Sequence, residues 1–273
     1  MRSFKHNFED AFFEFSRVDA VAMERLTASP YVVNMYGYCG MTVSTEFVGG
    51  MKLAQRVDPL SSLDKLKLAR QVAQGLADIH SVEGGTGLVH NDLNFANLVF
   101  PQHKDVPVLN DFNLAVLVLK NKYTGKPCPF TSHFPNPQWR SPEEQLLLPG
   151  EEDEADSTNS KLSSVPVLTN KIDIYALGNI LFRFATGKSA WKRRKGHKLS
   201  GEEFVHLKRN GTMPPIRMPQ RLWEDPPTVT MIDIMRECYS LDPNQRPTAQ
   251  EIVATMDRAI AKFEGGETTK NMS

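Results

Sequence analysis

The chain has 273 residues, and its 32 Lys+Arg are balanced by 32 Asp+Glu. A net charge of zero argues against a nucleic-acid or anionic-membrane binder that works by bulk electrostatics, and the length suffices for one large domain or two lobes. Three scattered cysteines, Cys39, Cys128 and Cys238, form no CxxC pair, offer no zinc site and suit a reducing compartment. With no signal-like segment in MRSFKHNFED and no apolar run longer than LAVLVL at 114–119, the chain reads as cytoplasmic or nuclear, without a membrane segment.

Residues 8–28 have helical periodicity, with Phe12, Phe15, Val18, Ala22, Met23 and Leu26 at spacings of three and four, and Pro30 stops that helix. Two strand-like pieces follow, VVNMYGYC and TVSTEFV, bounded by Gly40 and by Gly49-Gly50. Ser61-Ser62 opens a long amphipathic helix whose buried stripe is Leu63, Leu66, Ala69, Val72, Ala73, Leu76 and Ile79. Short apolar runs stand at 98–100 and 106–109. The stretch 114–142 reads as irregular, and 149–164 (PGEEDEADSTNSKLSS) as a disordered acidic insert. Helical periodicity returns at 171–187, 201–209, 228–239 and 247–263, followed by a polar, flexible tail at 265–273.

Within this frame, residues 90–97 read HNDLNFAN, and fourteen residues beyond Asn97 comes DFN at 111–113. Phosphoryl transfer needs a carboxylate at a fixed loop position to orient a hydroxyl and take its proton, which Asp92 supplies. Asn97 and Asp111 can hold Mg2+ against the phosphates of ATP, because that ion favours one or two protein oxygens together with phosphate oxygens.

These motifs resemble the HRDLxxxxN and DFG of eukaryotic protein kinases, with Asn91 in place of arginine and Asn113 in place of glycine. Three later segments extend the resemblance over about residues 17–263. NPQWRSPEEQ at 136–145 is similar to the Ala-Pro-Glu region, with Ser141 replacing alanine. KIDIYALGNIL at 171–181 is similar to the central helix, and LDPNQRPTAQEI carries Arg246. Kinases of the aminoglycoside and choline type share the first motifs but not these three.

The resemblance implies an α+β, bilobal fold: an incomplete small β-rich N-lobe over 1–50 and a mainly helical C-lobe over 51–264. It implies ATP and Mg2+ as cofactors and a protein substrate, with Asp92 and Asn97 catalytic and Asn97 and Asp111 on the metal. Thr45, Glu46 and Val48 would form the hinge, the last two facing adenine through backbone groups. Asp19 would be the helix acid, Asp173 would tie back to the catalytic-loop backbone, and Glu143 would pair with Arg246. Trp139, four before Glu143, gives a tyrosine-kinase-like flavour, while Asn94 leaves the acceptor open between Ser/Thr and Tyr.

A Gly-rich loop and a Val-Ala-x-Lys strand are missing before residue 40, and Lys5 is the one candidate for the phosphate lysine. The small lobe thus reads as two strands and a helix. Intact Asp92, Asn97 and Asp111 favour an N-terminal truncation over a pseudokinase binding module, and a fragment with an exposed sheet edge is expected to be poorly soluble or inactive. Without the arginine at 91, phosphates at Thr124, Thr131 or Ser132 lack their usual cation, so alanine at those positions is expected to leave the activity of a full-length version unchanged. Asn113 is expected to take the positive φ of the missing glycine.

Overall fold

The computed structural model describes residues 2–3, 10–48, 53–85, 87–102, 104–126, 128–130, 132, 137–145, 167–191 and 199–270. Helix α1 (Asp10–Arg25) buries Ala20, Ala22 and Met23 on its inner face, and the chain turns at Thr27–Ser29 before Pro30. The polypeptide then makes an antiparallel hairpin of β2 (Met35–Cys39) and β3 (Thr42–Thr45) around Gly40, whose φ of +56° is readily available only without a Cβ.

A third strand, β1 (Arg2–Ser3), pairs with β3 through Arg2–Val43 and Ser3–Thr42. The expectation of two strands is therefore corrected. An edge strand is held by its backbone ladder and needs none of the apolar alternation by which a central strand is recognised. Lys5 and the acidic insert lie outside the described residues.

The larger lobe is built around helices. After the short α2 (Leu53–Val57), α3 (Ser62–Gly85) carries Leu66, Ala69, Val72, Ala73, Leu76 and Ile79, each at most 1% exposed. Fully burying a leucine or isoleucine contributes roughly 1.5–3 kcal/mol, so this stripe alone anchors the helix. Gly75 allows close approach: a Cβ there would stand 3.0 Å from the Tyr31 carbonyl and from Leu109 Cδ1. The Tyr31–Val33 segment can therefore lie against α3 and pair with Leu109, through Leu109 N–H to Tyr31 O (2.8 Å) and Val33 N–H to Leu109 O (3.0 Å). These bonds join the small lobe to the strands carrying the functional loops.

Two two-stranded pieces follow α3. Strand β4 (Leu88–Val89) pairs with β7 (Val116–Leu117), and β5 (Leu98–Val99) pairs with β6 (Val108–Leu109), all antiparallel. The stretch read as irregular therefore contains β7, and it ends in the short helix α4 (Pro142–Gln145). Both are too short to generate a periodicity.

Helix α5 (Lys171–Thr186) is mostly apolar and buried at every position from Ile172 through Phe182, as a central helix must be. Around it stand α6 (Gly201–Arg209), α7 (Gln220–Trp223), α8 (Pro226–Cys238) and α9 (Ala249–Lys270). Ser200 and Glu203 form a reciprocal capping box on α6. Asp225 caps α8 by accepting from the Thr228 N–H. Helix α9 continues past Gly265, into the segment expected to be a tail. The architecture is a bilobal kinase-like fold, with a small β-strand lobe and a mainly helical larger one.

Candidate active site

Strand β4 delivers the loop His90–Asn97 onto the N-terminal end of α5. Asp173, in the first turn of that helix and 1% exposed, accepts from the His90 N–H (2.7 Å) and Asn91 N–H (2.9 Å), and meets His80 Nε2 at 3.1 Å. One carboxylate thereby satisfies two consecutive buried backbone donors, which would otherwise each cost about 1–3 kcal/mol. The tie between Asp173 and the loop backbone stands as expected. His80 is a partner that the sequence did not disclose.

Asn91 adopts a φ of +60°, a left-handed conformation that asparagine tolerates better than most residues. Its side chain donates to Leu114 O (2.9 Å), and its Oδ1 accepts from Ser132 Oγ (3.1 Å). Asn94 caps the 3-10 turn Phe95–Asn97: its Oδ1 accepts from the Ala96 N–H and its Nδ2 donates to Asp92 O. The turn brings Asn97 Nδ2 to Asp92 O (2.8 Å) and to Asp92 Oδ2 (3.1 Å). Asn97 Oδ1 accepts no hydrogen bond among the described residues.

Asp111 arrives beside this turn because the Asn110 N–H donates to Asn97 O at 3.0 Å. The left-handed φ in this motif falls on Asp111 (70°) and not on Asn113. The expectation for Asn113 is corrected: the sharp bend is made one residue before Phe112, and aspartate tolerates that conformation as asparagine does. Phe112 is fully buried against His90, with ring centroids 4.9 Å apart, and its N–H donates to Asp19 Oδ1 at 2.7 Å. Asp19, 7% exposed, thus reaches the Asp-Phe motif from α1.

The donor set fits a hard divalent cation of the Mg2+ type. Asp92, Asn97 and Asp111 present carboxylate and amide oxygens on one short stretch of chain. No group of three His, Cys, Asp or Glu gathers into a ready-made metal site among the described residues. An ion that keeps waters and phosphate oxygens needs only one or two protein carboxylates.

At the proposed hinge, Thr45 ends β3 and its Oγ1 donates to Glu46 O at 3.2 Å. The Glu46 N–H is engaged with Asn34 O (2.8 Å), so of its backbone groups only the carbonyl, through the lone pair that Thr45 does not use, is left for a base. Its side chain, 9% exposed, does separate work: Oε1 accepts from the Asn34 N–H at 2.9 Å, and Oε2 pairs with Lys104 at 3.3 Å. Val48 is partly buried against the main core, while Gly49 and Gly50 lie outside the described residues.

Two cations escaped the sequence reading. Arg140 is 5% exposed; its Nη1 donates to the Asn91 carbonyl and lies 3.2 Å from Glu144 Oε1, and its Nη2 stands 3.7 Å from Asp92 Oδ1. It thus brings positive charge beside the candidate base at a site where residue 91 has none. Glu144, which also accepts from Ser132 Oγ and from Ser141, is pushed up by burial and held down in part by Arg140. Its place four residues after Arg140 was the available signal.

Lys208, on α6 and fully buried, donates to Pro137 O, Gln138 O and Arg140 O at 2.7, 3.0 and 2.7 Å. Its ammonium also stands over the rings of Tyr175 (5.0 Å) and Trp191 (5.3 Å). Burial pushes this lysine well below its ordinary range, against the pull of Glu144 and Glu143. Glu143 and Arg246 make the expected pair, bidentate at 2.6 and 2.8 Å, with Arg246 also donating to Ser240 O and Lys171 O.

A protein kinase domain model matches residues 16–256. The chain belongs to the protein kinase domain family. The domain is 25% identical over 241 residues to the dual specificity protein kinase pyk3 of Dictyostelium discoideum, covering 86% of this chain and 15% of that protein. A probable serine/threonine-protein kinase of the same organism is 30% identical over 188 residues, or 68% of this chain and 16% of its own length. Human mitogen-activated protein kinase kinase kinase 7 is 24% identical over 257 residues, covering 87% of this chain and 34% of that protein. The kinase domain spans about a sixth to a third of the length of these relatives. No helix among the described residues is long and apolar enough to cross a membrane.

Proposed function

We propose that this kinase domain transfers a phosphoryl group from ATP to a hydroxyl of a protein substrate, with Mg2+ as the accompanying ion. The observation that supports this reading most is the convergence of Asp92, Asn97 and Asp111 through the Asn97–Asp92 and Asn110–Asn97 hydrogen bonds. Asp92 is assigned to orient the acceptor hydroxyl and take its proton as the new phosphate ester forms. The Asn97 amide holds that carboxylate in place with its nitrogen and leaves its oxygen to a cation. Asp111 is the second metal ligand, and Mg2+ would neutralise charge on the transferred phosphate. Thr45, the Glu46 carbonyl and Val48 are assigned to the adenine, and Asp19 to positioning Phe112 and hence Asp111.

The acceptor is a serine or threonine hydroxyl, with tyrosine as a second acceptor; names borne by the relatives, dual specificity and serine/threonine, support this order. Trp139, packed edge-on against Phe95 at 5.1 Å, is the feature that supports a tyrosine-kinase-like flavour.

The test is Mg2+-dependent incorporation of labelled phosphate from ATP into a generic protein substrate. Activity that vanishes in Asp92→Asn, with the circular dichroism spectrum kept, supports the assignment. Absent transfer in the wild type together with nucleotide-independent capture of a protein partner would assign a binding module instead.

A further inference from the structure

A cavity of about 430 Å3 opens at the C-terminal end of α5, away from the catalytic loop, with Phe182, Arg183, Lys188, Trp191, Pro215 and Arg217 in its wall. No carboxylate lines it. Two buried donors in this wall have no hydrogen-bond partner among the described residues: Arg183 Nη1 and Trp191 Nε1. Trp191 is 4% exposed and has a φ of +65°, a costly conformation for so bulky a residue and one that concentrates at ligand sites. Gly187, at the end of α5 with a φ of +70°, lies beside Arg183 Nη1.

The cations are not explained by the helix end alone. Arg183 and Lys188 complement the negative pole of α5, but that role uses neither the indole N–H of Trp191 nor Arg217 on the segment after α6. Asp58 balances Arg183, contacting Nη2 at 2.7 Å. Lys188 gives one donor to Arg217 O at 3.2 Å. Lys188 and Arg217 therefore leave two positive charges facing a space lined by no acid. A phosphomonoester carries about −1.5 to −2 at pH 7 and three acceptor oxygens. The cavity is several times larger than a bare phosphate, within the range of about 300–1,000 Å3 typical of ligand pockets, and Phe182 and Pro215 add apolar wall.

We propose that this pocket binds a phosphorylated side chain carried on a protein segment. The phosphate enters toward Arg183 Nη1 and Trp191 Nε1, Lys188 and Arg217 supply its counter-charge, and flanking residues lie on Phe182 and Pro215. The proposal does not rest on catalysis by the domain, since binding is measured without nucleotide.

The test is fluorescence anisotropy of the full chain with a fluorescein-labelled peptide mixture, phosphoserine at its centre and flanking positions randomised. The phosphorylated mixture should bind at least tenfold more tightly than the same mixture with serine, and inorganic phosphate should compete only weakly. Lys188→Ala with Arg217→Ala, both exposed and so without effect on the melting temperature, should weaken binding at least tenfold. Trp191→Phe, which keeps the ring and removes the N–H, should weaken it severalfold. Equal binding of the two mixtures, unchanged affinity in the double variant, inorganic phosphate competing as well as the peptide, or binding only to vesicles containing phosphatidylinositol phosphate would each overturn the proposal.

Discussion

Arg140 places its guanidinium 3.7 Å from the Asp92 carboxylate while its other terminal nitrogen donates to the carbonyl of Asn91, the neighbouring residue. The charge that a family arginine would bring from position 91 thus comes from a residue 49 positions later in the chain. Glu144 is the carboxylate that neutralises it in the interior. Removing one member of a buried ion pair leaves the other uncompensated, at about 3–5 kcal/mol, whereas removing both often costs little. Arg140→Met is expected to lower the urea-unfolding free energy by roughly that amount, and Arg140→Met with Glu144→Gln to recover most of it. Urea titrations in which the double variant is no more stable than the single one would show that the pair does not act as a unit.

Asp173 offers a second such test. Its carboxylate serves two backbone donors and His80, and an amide in its place would turn an N–H toward one of them. Asp173→Asn should destabilise the chain by about 2–4 kcal/mol, the cost of an unsatisfied buried donor plus a mismatched one. In hydrogen exchange, protection should fall at the amides of His90 and Asn91 before it falls in α9.

Ser132 is tied into the site by its hydroxyl, so its substitution bears on stability. Its hydroxyl lies within hydrogen-bond distance of both Asn91 Oδ1 and Glu144 Oε1. Ser132→Ala should therefore cost about 1 kcal/mol, the typical net worth of a hydrogen bond. Thr124→Ala should stay near neutral, because Thr124 sits in an exposed turn and its Oγ1 only accepts from the Lys126 N–H. Thermal melts of the two variants separate these outcomes; Thr131 lies outside the described residues.

The cysteines should differ sharply in reactivity. Burial pushes the Cys238 thiol up to about 12, while Cys39 is exposed. An alkylating reagent at pH 8 should modify Cys39 in the native protein and Cys238 only after unfolding. Because the folded thiol titrates above the unfolded one, its contribution to stability is complete below about pH 9. It is lost as pH rises toward about 12, so Cys238→Ser should reduce the alkaline loss of stability. Mass spectrometry of the alkylated chain and melts across that range read both effects.

The parts of the site legible in the sequence were those packed into short stretches or strong periodicities. The spacing from His90 to Asn97 encodes a tight turn, and the stripe from Leu66 to Ile79 encodes a buried helix face. The Glu143–Arg246 and Asp173–loop contacts became legible through family resemblance, since residues 103 and more than 80 positions apart leave no local trace. Arg140 and Lys208 stayed hidden for another reason. Lysine and arginine in polar segments ordinarily read as surface charge, and only tertiary packing decides that a given one is sealed in. The left-handed backbone at Asp111 likewise depends on how Phe112 is buried, which a rule about glycine replacement does not capture.

The bonds from Lys208 to the carbonyls of residues 137–140 also impose an order on the making of the protein. The loop is synthesised about seventy residues before the side chain that fastens it. At ribosomal rates of about 5–20 residues per second, that delay is on the order of ten seconds. Throughout that interval Arg140 exists in a nascent chain without the clamp that fixes its carbonyl, so the 137–140 stretch reaches its final hydrogen bonding only once α6 has been made. Arrested nascent chains ending before and after α6 should differ in protease protection at residues 137–140.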